Sequence, residues 1–203
     1  MDGTLYIARH GSTLMNVRDQ YSSYSDDPLA PEGLREAEEL ARELAHVRFD
    51  SILCSPARRA RETAGAVREA QVGTRPDVET LDLLAEVNFG RFEGLTRREI
   101  VTGDLSASFG AWERGEDGGG AEPLPAAAVR ATTLLEGIDL GRRTLLVTHG
   151  VFARVLLACA VLQMPLSAYR RLRIDNCGCA VVSWSGGMPR LIALRGMRDP
   201  GPG

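Results

Sequence analysis

Brief apolar runs alternate along this chain with longer amphipathic stretches. Leu5–Ala8, Ser51–Cys54, Thr144–Thr148, Ala180–Trp184 and Arg190–Leu194 are short and rich in branched or aromatic residues, and each predicts a strand. Val78–Leu81 predicts a further, shorter one. Between them the period changes. After Pro31-Glu32-Gly33, the residues Leu34, Ala37, Leu40, Ala41, Leu44 and Val47 recur at three- and four-residue spacing. That is the apolar stripe of an amphipathic helix, with Glu and Arg on its other face. Pro56, placed as a first helical residue, predicts a second helix through Thr63 to Ala70. Two more are expected at Pro125–Ile138 and Val151–Leu162.

Strands alternating with helices predict an α/β fold, a three-layer αβα sandwich around a mostly parallel sheet. In such sheets ligands bind outside the carboxyl ends of the strands. The polar stretch from Gly103 to Glu122, with Gly118-Gly119-Gly120 inside it, reads as a mobile loop or lid within a region spanning 97–123. No second apolar core follows it, so one domain over 1–203 is expected, with a frayed tail at 199–203.

Composition narrows the class. The chain has 203 residues, 44% hydrophobic and 25% charged, with a net charge of −3. That is the make-up of a globular protein and lacks the basic excess of a nucleic-acid binder. No apolar stretch approaches the roughly 18–20 residues of a membrane span, and the first residues carry no basic and apolar leader. A cytoplasmic protein with no membrane or nucleic-acid partner is therefore expected. The cysteines Cys54, Cys159, Cys177 and Cys179 fit reduced thiols in apolar elements. Cys177-Gly178-Cys179 has no matching pair elsewhere and makes a poor zinc site.

The chemistry centres on two histidines in similar settings. Arg9-His10-Gly11 follows the first strand, and Leu145-Leu146-Val147-Thr148-His149-Gly150 repeats the arrangement at a later one. The Ser55-Pro56-Ala57-Arg58-Arg59 turn follows the second strand, so a parallel sheet brings all three segments to one rim. A neutral imidazole, with an ordinary pKa of about 6.5, can attack phosphorus with one ring nitrogen while the other donates to a carbonyl. Arginine forks match phosphate oxygens, a second histidine can donate to a further oxygen, and glycine amides approach closely. Such a set needs no metal and no cofactor.

Arg9-His10-Gly11-Ser12-Thr13 with Asn16 resembles the opening motif of the histidine phosphatase (phosphoglycerate mutase-like) superfamily. The resemblance continues through Asp26-Asp27-Pro28-Leu29, Ser55-Pro56 to Arg59-Ala60 and Thr63, Glu86-Val87-Asn88-Phe89-Gly90, Glu93-Gly94-Leu95-Thr96 and Thr148-His149-Gly150. It implies a phosphoglycerate mutase-like fold and a phosphohistidine on His10. Arg9, Arg59 and His149 would complete the phosphate pocket, with Asn16 as an added contact and Thr13, Gly11 and Gly150 beside it. Arg59 fits the motif better than Arg58 or Arg61, which are expected on the surface. Glu86 matches the general acid.

Departures from the pattern concern the leaving group. Ser22-Ser23, between Tyr21 and Tyr24, stand where relatives often carry Gln-Gly, and Tyr21, Ser22 and Ser23 are candidate substrate contacts. Gly119-Gly120-Ala121-Glu122-Pro123 distorts the family's Gly-Gly-Glu-Ser, and the stretch around Trp112 is short. A compact lid admits water and favours hydrolysis of a small phosphorylated metabolite. The alternatives are a phosphoglycerate mutase-type isomerase using the same phosphohistidine and an inactive phospho-ligand binding module. Arg97 and Arg98 could read a second anion, although adjacent arginines on a helix are more often plain surface charge, and a homodimer is compatible with the family.

Overall fold

A computed structural model describes residues 3–196, and the tail expected at 199–203 lies outside the described residues. Six strands form one sheet in the order β3-β2-β4-β1-β5-β6. β1 (Thr4–Arg9), β2 (Ser51–Cys54), β3 (Val78–Thr80) and β4 (Arg143–Thr148) are parallel. β5 (Cys179–Ser185) and β6 (Met188–Arg195) add an antiparallel hairpin beside β1.

The central strands read as unbroken apolar runs because both faces are covered. Leu5 and Ile7 of β1 join one core with Leu53 and Leu146, while Tyr6 and Ala8 join another with Ile52, Leu145 and Val147. Successive strand residues point to opposite faces, so a single strand feeds both cores. The helices α2 (Pro31–Leu44) and α3 (Arg58–Ala70) close the second core through Ala37, Leu40, Leu44, Ala64 and Val67. On the first lie α6 (Leu124–Gly137) and α7 (Gly150–Val155), which continues as a π-helical stretch, Leu156–Val161. The outcome is the three-layer α/β sandwich that the pattern predicts.

Three local expectations need correction. Leu34 is exposed, and Glu36 takes a buried place on α2, because its carboxylate reaches back to the loop after β1. α3 starts at Arg58 and not at Pro56; the carboxylate of Asp26 accepts the Arg58 amide at 3.1 Å and supplies the cap. The stretch expected as a loop from 103 to 122 holds a helix, α5 (Ser106–Glu113), after α4 (Arg97–Thr102). Phe109 and Trp112 of α5 are buried in an aromatic group with Phe89 and Phe92, and Trp112 Nε1 donates to the Glu122 carbonyl at 2.8 Å. These aromatics outweigh the polar surface of the segment.

Candidate active site

β1 and β4 are parallel neighbours in which Arg9 pairs with Thr148, so the loops after both strands leave the same edge. The His10 amide donates to the Thr148 carbonyl at 2.9 Å. The two rings then meet, 5.0 Å between centroids and 66° between planes. Both histidines are buried.

His10 Nδ1 lies 2.7 Å from the Gly11 carbonyl. A carbonyl can only accept, so Nδ1 carries the proton and Nε2 keeps its lone pair. Burial first, and then the charges of Arg59 and Arg9, hold the His10 pKa well below its ordinary value. The ring is therefore neutral at physiological pH with a nucleophilic nitrogen available. His149 Nδ1 faces Arg59 Nη2 at 3.2 Å, and Nε2 faces Ser55 Oγ at 2.7 Å. Arginine can only donate, so Nδ1 accepts and Nε2–H donates to Ser55. Burial first, then His10, Arg59, Arg9 and Arg130, push the His149 pKa well down as well.

The guanidiniums of Arg9 and Arg59 flank this pair. Arg59 is 1% exposed and is held by the backbone of the 22–25 segment, Nη1 to Ser25 O at 2.7 Å and Nη2 to Ser23 O at 2.8 Å. Arg9 Nη1 donates to the Ile174 carbonyl at 3.2 Å. The Nε atoms of both side chains are buried with no acceptor in the protein. Leaving a buried donor unpaired costs about 1–3 kcal/mol, more for a charged group, a cost that a bound acceptor would relieve. Burial lowers both arginine pKa values and Glu86 opposes this, yet a guanidinium stays charged. Arg58 and Arg61 are surface residues, Arg58 bonding Glu62 and Arg61 the Pro56 carbonyl.

Glu86 is anchored by three amides: Val87 N and Phe152 N, each at 2.9 Å, and Val151 N at 3.1 Å. Those donors come from its own loop and the first turn of α7, and they fix the carboxylate on the wall of the cavity. Asn16 Oδ1 accepts from Thr13 N, Thr13 Oγ1 and Asn176 Nδ2, which leaves its own Nδ2 as a donor.

A cavity of about 520 Å³ opens above His10, with Arg9, Asn16, Tyr21, Ser22, Glu86 and Gly150 on its walls. Arg59 and His149 are buried behind it. Three expected contacts shape the pocket and do not line it. The Gly11 amide is already given to Thr63 Oγ1 at 3.1 Å, and a Cβ there would stand 2.6 Å from the Gly33 carbonyl. Gly11 thus serves the close approach of α2, which corrects its reading as a phosphate contact. Thr13 caps α1 (Leu14–Val17). Ser23 is buried, its amide and hydroxyl held by Glu93 and its carbonyl by Arg59, so it steadies the arginine. At Gly150 a Cβ would stand 3.2 Å from Arg9 Cζ, so glycine there lets the guanidinium in.

Sequence reasoning missed Glu36 and Asn176. Glu36 accepts the Ser12 amide at 2.7 Å and the Ser12 hydroxyl at 3.0 Å, and Asn176 Nδ2 also donates to the His10 carbonyl at 3.0 Å. Neither carries a local sequence signal, because each acts from a distant element.

A buried histidine pair, two arginines whose Nε atoms lack an acceptor and an anchored carboxylate beside a mostly parallel sheet are the parts a phosphate-handling site needs. The family model described as "Histidine phosphatase superfamily (branch 1)" matches residues 5–195, and the chain belongs to that superfamily. The adenosylcobalamin/alpha-ribazole phosphatase of Salmonella typhimurium is 31% identical over 182 residues, 86% of this chain and 87% of that protein. A Proteus mirabilis protein named "Probable phosphoglycerate mutase GpmB" is 31% identical over 190 residues, 89% of this chain and 84% of its own. Among solved structures, Bacillus stearothermophilus YhfR superposes with a TM-score of 0.83 at 28% identity, covering 97% of this chain and 98% of that one. Among the described residues no helix is long and apolar enough to cross a membrane.

Proposed function

We propose that this chain is a metal-independent phosphatase that hydrolyses the phosphate monoester of a small metabolite through a phosphohistidine on His10. His10 Nε2 attacks phosphorus as the ester oxygen leaves, and Glu86 gives that oxygen its proton. Water then attacks the phosphohistidine, Glu86 takes a proton from it, and the P–N bond breaks to return neutral His10 and inorganic phosphate. Arg9, Arg59 and Asn16 hold the oxygens of the transferring group, and His149, its Nδ1 accepting from Arg59 and its Nε2–H donating to Ser55, completes the pocket behind them. The observation that carries this reading is the pair of buried guanidinium nitrogens without acceptors beside a neutral, lone-pair-bearing His10. The similarity to a named alpha-ribazole phosphatase supports the hydrolytic direction.

The test is turnover of p-nitrophenyl phosphate with and without EDTA. Hydrolysis that resists the chelator and vanishes in His10→Ala is expected; loss on chelation overturns the metal-independent step, and hydrolysis unchanged in His10→Ala overturns the nucleophile. Similarity to a protein named as a mutase supports an isomerase as the second reading. Rapid formation of 2-phosphoglycerate from 3-phosphoglycerate and trace 2,3-bisphosphoglycerate would select it.

A further inference from the structure

Beyond the histidine pair the cavity wall carries three more arginines, Arg97, Arg154 and Arg173. Two of them are engaged by carboxylates. Arg97 gives Nη1 and Nη2 to Glu113 at 2.7 and 3.4 Å, and also hydrogen bonds with Tyr21. Arg173 gives Nε to Asp175 at 2.7 Å. Arg98, the other member of the adjacent pair, is exposed and does not line the cavity.

Arg154 is different. Its Nε donates to the Gly150 carbonyl at 2.9 Å, and its guanidinium lies 5.5 Å from the centre of the Tyr169 ring. These two contacts fix the fork without neutralising it, and among the described residues no carboxylate pairs with it. Both Nη groups remain as donors, one helical turn beyond Gly150. The carboxylates that share the cavity are committed or distant from the interior: Glu86 to three amides, Asp175 to Arg173, and Asp19 exposed. A half-buried, oriented and unpaired guanidinium is the arrangement that binds a carboxylate or phosphate two-pronged. Tyr21 and Phe89 give the same cavity an aromatic flank for a short carbon skeleton.

We propose that Arg154 is a specificity-determining residue that reads a second anionic group on the leaving-group end of the substrate, so that acidic phosphate monoesters are the favoured class. This inference rests on the phosphatase reading of the same site. It places the anion-reading role on a residue of α7 and leaves Arg97 paired with Glu113 and Arg98 on the surface.

Binding is compared within matched pairs on His10→Ala protein, which holds ligand without turnover: 3-phosphoglycerate against glycerol 3-phosphate, and fructose 1,6-bisphosphate against fructose 6-phosphate. Calorimetry should show the more acidic member of at least one pair bound about 10-fold or more tightly, as a charge-assisted hydrogen-bonded pair gives. Adding Arg154→Gln should remove that preference while the affinity for the less acidic member stays within about twofold, and Arg154→Lys should keep part of it. Equal binding within both pairs, or a preference that survives Arg154→Gln, overturns the proposal. So does an equal loss for both members, which would mark Arg154 as serving the phosphate or the fold. Turnover of p-nitrophenyl phosphate by the unmutated protein is scored separately, so a failure of the phosphatase reading is told apart from a failure of this one.

Discussion

At the inner end of the cavity the sheet itself places the two histidines and backbone carbonyls hold the two arginines, whereas the outer end is walled by long side chains and loop residues. His10 and His149 sit one residue past paired positions of adjacent parallel strands, and Arg59 is pinned by two backbone carbonyls. Outside, Ser22, Leu172 and Ile174 belong to loops or their margins, and Arg97, Arg154 and Arg173 reach in from three different segments. On the proposed reading the inner end takes the phosphoryl group whatever carries it, and the outer end selects the carrier. Changes at the inner end should therefore damage turnover of every ester, and changes at the outer end should re-rank esters.

The largest effect is expected from the nucleophile. His10→Ala should lower kcat/KM for every ester by about 10⁴-fold or more, because the covalent route is closed. An ester-dependent loss would break the distinction between the two ends.

Arg59→Met should cost about 10²- to 10³-fold in kcat, the scale of one preorganised donor to a transition-state anion. Its melting temperature should also fall, since the carbonyls of Ser23 and Ser25 lose their partner. Calorimetry alongside kinetics separates the two consequences.

Glu86→Gln sharpens the comparison by leaving group. An alkyl phosphate, whose leaving oxygen needs a proton, should lose about 10²- to 10⁴-fold in kcat, and p-nitrophenyl phosphate far less. Equal losses would remove Glu86 from the role of proton donor.

The smallest effect is on stability. The pKa of each buried histidine is depressed, by burial first and by neighbouring charge second. Below pH about 6.5 the unfolded chain takes up protons that the folded one refuses, so stability is full above that value and falls as pH drops, by about 1.4 kcal/mol per pH unit for each histidine. Urea unfolding on the acid side of neutrality should show this slope, and His10→Ala should make it shallower.

The same contrast explains what the sequence made legible. β1, β2 and β4 are readable because central parallel strands are apolar on both faces, and His10 and His149 are readable because they end such runs. Arg59 could be chosen over Arg58 only through the resemblance to a known motif; burial later gives the physical reason. Glu36 was unreadable because a buried glutamate on a helix looks like its exposed neighbours until Ser12 is folded against it. α5 was hidden for the opposite reason, since its polar and glycine-rich surroundings mask Phe109 and Trp112, whose partners Phe89 and Phe92 come from an earlier segment. Arg154 needed the structure most, because its proposed role rests on there being no carboxylate paired with it among the described residues.

On the proposed mechanism the phosphoryl group passes through His10. Rapid mixing with p-nitrophenyl phosphate, an alkaline quench that preserves phosphohistidine, and peptide mass spectrometry test it directly. One phosphoryl group is expected on the peptide that contains His10, formed before steady state and absent in His10→Ala. Steady hydrolysis with no such adduct, or an adduct on any other residue, would contradict it.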